Sequence, residues 1–359
     1  MGNKVNIFAD VPSFLNLLAN PEFAQGRDLK FLIRQRADVF LIVEQEELNR
    51  RWEDSEDILR KLCDAYDIPC PRALPKLAAI FESPDLCVRL DPFGLWMINA
   101  SEQDINRFRE YLGVWMVNPS SITDDIFYLH HKRDYNRGDI IDGSSNDNGW
   151  ANYLEELSLN GKRLPPINSV VINDRYLLLT TSKNILPEQY ASYSLNNLKK
   201  LFDALLPQDL KISFQLTIYC DHPQLDIATT DKITQKFKDD MQHDKSYPIQ
   251  IEFIYDHARH KRTFHSNYFL FDVDRAYNAF DCRDYNKLIG ENYFCLESYH
   301  NDPCCSGDTN YITARNTILE IKQRCDSVLD NLDTSNIDYS QIKRCDLITP
   351  HKMQNRLFD

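Results

Sequence analysis

Short apolar runs of strand length alternate with amphipathic, helix-length segments along most of this chain. Such an order is satisfied most readily by helices packed on a sheet, so the predicted fold class is α/β. In the first half, residues 5–9 read as a strand ending at Asp10, and Pro12 opens a helix to Leu18, because its fixed φ suits a first helical turn. Helices are predicted over 23–36, 46–66 and 76–81, and strands over 39–43, 86–90, 95–98, 114–117 and 126–129. Ser101 is a good N-cap for a helix to Leu112.

The turn-rich, aperiodic stretch 139–149 predicts a loop, and a helix over 150–157 bridges to Pro165-Pro166. Beyond it, strands are predicted over 169–172 and 176–179 as a hairpin-like pair around Asn173-Asp174, and over 212–219, 249–255 and 263–271. Helices are predicted over 194–206, 230–241 and 312–332. The expected organisation is two mixed α/β domains, 1–149 and 150–332, and a polar tail, 333–359, that packs on the surface or frays.

Glycine is scarce, 10 of 359 residues, and neither GxGxxG nor GxxxxGKS/T occurs, which argues against a glycine-rich nucleotide loop. The formal net charge of −13 suits the chain poorly to coating nucleic acid, which needs many Lys and Arg contacts. A local basic patch could still hold one phosphate or a short strand. The ten cysteines, among them Cys63, Cys87, Cys220 and Cys325, are scattered as reduced buried thiols would be. The apolar run before Asp10 is too short for a signal peptide, and Asn6 stands where a myristoylation motif wants Ser or Thr. No stretch approaches the roughly 20 apolar residues of a membrane span. The chain reads as cytoplasmic.

One turn concentrates cationic chemistry. Between two strong strands lie Asp256-His257-Ala258-Arg259-His260-Lys261-Arg262. Guanidinium grips an oxyanion in a two-pronged fork, and imidazole can attack phosphorus or carry a proton. A solvated basic turn would show the same residue types.

His260-Lys261-Arg262 followed by Thr263-Phe264-His265-Ser266-Asn267-Tyr268 resembles the H-x-R, strand, Asn-Tyr signature of phospholipase D-like domains. The relevant relatives stand at the C-terminus of microtubule-interacting-and-trafficking proteins and in bacterial proteins. Val171-Ile172-Asn173-Asp174-Arg175-Tyr176 looks like that family's strand, Asp-x-Tyr segment, and the likeness spans about 165–280. It implies a sheet flanked by helices, with His260 and Arg262 on phosphate and Asn267 orienting the site. Asp174 would hold His260 or support the loop, and His257, Arg259 and Lys261 would assist binding. Active enzymes of the family carry H-x-K-x(4)-D, usually twice; here Arg262 replaces the Lys, Asn267 the acid, and no second copy is visible. The resemblance therefore implies a degenerate domain that recognises phosphate or nucleic acid, in the setting of a bacterial antiviral or other conflict system.

Elsewhere, 7–15 is faintly similar to the opening of PIN-type nucleases, where strand-end carboxylates bind Mg²⁺. Asp10, Glu47, Asp104 and Asp124 or Asp125 are the corresponding candidates, although capping, turns and solubility explain most acids in a chain with 54 of them. A second basic patch, residues 130–137, is interleaved with Tyr128 and Tyr135, as stacking on bases would require; a solvated interdomain loop is the other reading. Cys282, Cys295, His300, Cys304 and Cys305 fit no standard zinc spacing. Two further functions stay open: a phosphodiesterase or nuclease using His260 across a homodimer or the N-terminal acids with Mg²⁺, and a scaffold docking a protein partner.

Overall fold

A computed structural model describes residues 5–19, 37–74, 90–118, 132–135, 166–180, 183–256, 258, 262–273, 277, 294–298, 310–330, 345–346 and 355–358. The expectations for 23–36, 76–81, 126–129, 139–149 and 150–157 lie outside these residues, as does that for 86–90 except at Leu90. The chain forms two compact α/β units: Met1–His131 with Ser298–Thr313, and Lys132–Glu297 with Ala314–Asp359. The division therefore falls before the predicted loop.

The first unit holds β1 (Val5–Asp10), α1 (Val11–Ala19), β2 (Ala37–Ile42), α2 (Gln45–Glu53), α3 (Ile58–Ala65), β3 (Arg72–Leu74), β4 (Leu95–Met97), α4 (Glu102–Leu112) and β5 (Trp115–Val117). Its sheet runs β3-β2-β1-β4-β5 and every pairing is parallel. The apolar run of β1 belongs at the centre of such a sheet, with Ile7 opposite Val39 on one side and Leu95 on the other. Phe8 stacks on Trp96 at 4.4 Å between ring centroids. Gly94 lets that ring approach, since a Cβ there would stand 2.4 Å from Phe8 Cε2.

The single helix expected over 46–66 is two helices. Asp54 Oδ1 accepts from the N–H of Glu56 at 2.9 Å, and Asp57 Oδ1 caps α3 through Leu59 N–H at 2.7 Å. Short acidic side chains compete here with helical backbone bonds. Ser101 caps α4 as expected, and Gly113 ends it at φ 58°.

The second unit holds β6 (Lys132–Tyr135), β7 (Ser169–Asn173), α5 (Pro187–Leu205), β8 (Phe214–Cys220), α6 (Ile227–His243), β9 (Ile249–Tyr255), β10 (Arg262–Ser266), β11 (Phe269–Val273), β12 (Phe294–Ser298), α7 (Asn310–Asp330) and β13 (Cys345–Asp346). The sheet order is β13-β9-β8-β7-β10-β11-β12-β6. The pairings of β7 with β8 and β8 with β9 are parallel, and β10 returns antiparallel on β7. The C-terminal ends of β7, β8 and β9 thus share one edge, and β10 starts there, with Thr263 opposite Asn173.

Three expectations change. Residues 176–179 form turns rather than a strand, because Asp174 accepts from Tyr176 and Leu177 N–H groups. The strand expected over 263–271 is a hairpin, in which Ser266 Oγ accepts from Tyr268 and Phe269 N–H at 3.1 and 3.0 Å. In the expected polar tail, Leu357 and Phe358 are buried. Arg356 reaches Asn168 O, Ser169 Oγ and Ser213 O, while Asn355 Nδ2 donates to Val170 O at 2.8 Å. Among the described residues no helix is long and apolar enough to cross a membrane.

Candidate functional site

Each parallel strand of the second sheet runs into an aspartate followed by a basic residue: Asp174-Arg175 after β7, Asp221-His222 after β8 and Asp256-His257 after β9. The strands are buried on both faces over most of their length and paired in parallel register, so the three carboxylates arrive at one edge. The ladder continues into two of them, since Asp174 N donates to Tyr219 O and Asp256 N to Cys220 O, both at 3.0 Å. Ligands of α/β sheets gather at such strand ends.

Asp174 is fully buried. Its Oδ1 accepts from Tyr176 N–H at 2.8 Å and from Arg262 Nε at 3.2 Å, while Oδ2 has no hydrogen-bond partner. Burial pushes its carboxyl up to about 6, against the lowering pull of Arg262 and the Tyr176 N–H. Next along the edge, Asp221 Oδ2 accepts from Arg175 Nε at 3.0 Å, and its Oδ1 from Ala258 N–H at 2.7 Å. The two guanidinium carbons stand 5.1 Å (Arg262) and 5.6 Å (Arg175) from the centroid of the same Tyr176 ring. Two cations therefore share one aromatic ring, and each meets a strand-end carboxylate through Nε. Arg262 is 12% exposed and Arg175 41% exposed.

The third carboxylate, Asp256, accepts from Tyr219 Oη at 2.9 Å. Burial and then that bond push the Tyr219 phenol well up, with Arg324 of α7 opposing. Burial, Asp174 and Asp221 push the Cys220 thiol well above its ordinary value, so it stays a thiol rather than a nucleophile. His222 is exposed, and its ring lies 5.5 Å from that of Tyr255.

Of the residues read from sequence, Asp174 and Arg262 meet at this edge. Asn267 does not join them. It lies in the β10–β11 turn, five residues or about 17 Å along the strand, and its Oδ1 accepts from Asn168 and Ser169 N–H at 3.1 and 3.3 Å. There it ties the hairpin turn to the start of β7. His257, Arg259, His260 and Lys261 lie outside the described residues. Arg175, Tyr176, Asp221, His222 and Asp256 were not singled out as partners; the repeated Asp–basic pair after each strand was the available signal.

In the first unit Asp10 ends β1 beside β4, where the strand order reverses direction. Its Oδ1 accepts from Ser13 N–H at 2.7 Å, capping α1, and its Oδ2 from Asn99 N–H at 2.6 Å. Asp104 exchanges hydrogen bonds with Ser101 in the α4 cap, and Glu47 pairs with Arg51 at 3.3 Å. Asp124 and Asp125 lie outside the described residues. Among the described residues no three His, Cys, Asp or Glu side chains are grouped to hold a metal ion.

Within the second basic patch, Lys132–Tyr135 form the strand β6 at the sheet's edge, antiparallel to β12, rather than a loop. Cys295 lies in β12; Cys282, His300, Cys304 and Cys305 lie outside the described residues. No protein-family model matches the chain, and no curated protein matches it.

Proposed function

We propose that the second unit recognises a phosphate group, on nucleic acid or another phosphorylated ligand, at the strand-end edge of Asp174, Arg175, Tyr176, Asp221 and Arg262. The observation that carries this reading is the pair of guanidinium groups on the Tyr176 ring, each tethered at Nε by a carboxylate. Arg175, half-exposed and fixed in this way, keeps its orientation, so less rotamer freedom is lost when an oxyanion meets its remaining N–H groups. His260 stands in sequence between Ala258 and Arg262, and in this reading adds an imidazole to the set. The phospholipase D-like resemblance points the same way. Arg262 cannot surrender a proton as the family's Lys can, so the reading is binding rather than turnover. We place this activity in the cytoplasm, which the buried thiols Cys63 and Cys220 support.

The test is titration of the full chain with pyrophosphate and with labelled DNA and RNA, in Mg²⁺ and in EDTA. Binding that weakens in Arg175→Gln and in salt is expected. Cleavage abolished by His260→Ala would replace the binding reading with a phosphodiesterase. Cleavage abolished by EDTA and by Asp10→Asn would move the activity to the first unit. A chain that binds no phosphate ligand but holds a stable protein partner is a scaffold.

A further inference from the structure

At the opposite end of β7 and β8 from Asp174, where these strands begin, the chain's own residues 355–358 lie as a peptide ligand would. Asn355 is buried and both ends of its amide are engaged. Its Nδ2 donates to Val170 O at 2.8 Å and to Thr217 Oγ1 at 3.2 Å, and its Oδ1 accepts from Leu357 N–H at 3.0 Å. Arg356 spreads its fork over four neutral oxygens at 2.6–3.2 Å: Nη1 donates to Asn168 O and Ser169 Oγ, Nη2 to Ser213 O and Ser213 Oγ. Leu357 and Phe358 are buried. Helix α7 reaches their carbonyls, Arg315 Nη1 donating to Leu357 O at 3.1 Å and Lys322 Nζ to Phe358 O at 2.9 Å. Each of the four residues is thus held through its own side chain, and an ammonium could not reproduce the flat fork of Arg356. The hydrogen bonds replace ones that water would supply, so their net hold is modest and burial of the two apolar side chains supplies the rest. A short segment held in this way opens locally without unfolding the sheet.

We propose that this groove is a peptide-binding site, selective for Asn-Arg followed by two apolar residues, which takes the segment 355–358 of a second copy of the chain when its own is released. Every copy carries the segment that fits, and exchange of an identical element between copies needs no new contact. The inference does not depend on the phosphate reading, which concerns the other end of the strands. The resident segment is tethered to its groove through the chain, at an effective concentration of about a millimolar, so docking in trans is hidden until that segment gives way.

The test uses the full chain. Leu357→Asp puts a charge where the buried leucine lies and should release the resident segment. That variant should capture a labelled peptide of residues 347–359, read by fluorescence anisotropy, and the natural chain should capture far less. The same peptide with Arg356→Lys should bind at least about tenfold more weakly, the size of one lost charge-assisted hydrogen bond. A chain with Ser213→Trp, whose groove is blocked and whose segment is therefore free, should form a one-to-one complex with the Leu357→Asp chain in sedimentation, while each alone stays a monomer. Circular dichroism checks that both variants are folded. Three results on folded variants overturn the inference: no capture of the peptide by Leu357→Asp, equal binding of the Arg and Lys peptides, or no complex between the two chains. Should either variant unfold, a chain cut after folding at a protease site inserted within 347–354 decides. Exchange of the cut segment for the labelled peptide supports the site; unfolding on cutting, or a segment that never exchanges, overturns it.

Discussion

Arg262 Nε lies 3.2 Å from Asp174 Oδ1, joining the first residue of β10 to the residue that follows β7. Nothing of Asp174 reaches solvent, and its second oxygen is without a hydrogen bond. Desolvating such a pair offsets most of its Coulombic attraction, so it is a poor source of net stability. What it does provide is position: the guanidinium is held over Tyr176 at the edge where the parallel strands end.

Removing one partner of this pair should be far worse than removing both. Arg262→Met strands a carboxyl in the interior and should cost about 3–5 kcal/mol in urea unfolding. Asp174→Asn combined with Arg262→Met should cost much less than the sum of the single changes. Additive costs would show that the two side chains do not interact.

Asp174 also predicts a pH dependence. Folded, it keeps its proton up to about pH 6; unfolded, it releases it near the ordinary 3.8. Between these values the folded state binds more protons, so this group's contribution is present below about pH 4 and is lost as pH rises to about 6. The loss is on the order of 3 kcal/mol. Unfolding midpoints measured across that window should show the fall in the natural chain and lack it in Asp174→Asn.

Asn267 should behave as a clamp. Asn267→Ala leaves the buried Asn168 and Ser169 N–H groups without the oxygen that accepts them, at roughly 1–3 kcal/mol each. Chemical denaturation should show that loss, while the folded fraction titrates with pyrophosphate as before. A specific loss of affinity at full stability would return Asn267 to the site.

Arg356 should anchor the second unit. Its two terminal nitrogens contact Asn168, Ser169 and Ser213, and its N–H donates to Gln215 Oε1 at 2.9 Å. Arg356→Ala should lower stability by about 1–3 kcal/mol, chiefly through the Ser213 carbonyl before β8, which loses its guanidinium donor, whereas the Asn168 carbonyl keeps the Gln215 N–H. A change within about 0.5 kcal/mol, as for an ordinary surface substitution, would mean the segment frays in solution.

Much of this protein is local chemistry and could be read along the chain. The apolar runs of β1 and β9, the Ser101 cap and the amphipathic face of α5 each depend on residues a few positions apart, so periodicity and capping reveal them. The α/β class follows from their alternation. The helix break at Asp54–Asp57 and the turn at Asn267-Tyr268 are local as well, made by side chains that bond to backbone two or three residues on, which periodicity does not reveal. Tertiary structure decided what depends on distant partners. It drew Lys132–Tyr135 onto β12 and buried Leu357 and Phe358. The candidate site divides in the same way. Asp174 and Arg262 were visible as residue types in a motif. Their meeting, and the arrival of Arg175 and Asp221 beside them, required strands 88 and 46 residues apart in sequence to lie in register. The hydrophobic pattern limits which face of a strand is buried, but which strands pair, and so which strand ends meet, is settled by cross-strand hydrogen bonds and packing between segments far apart in sequence.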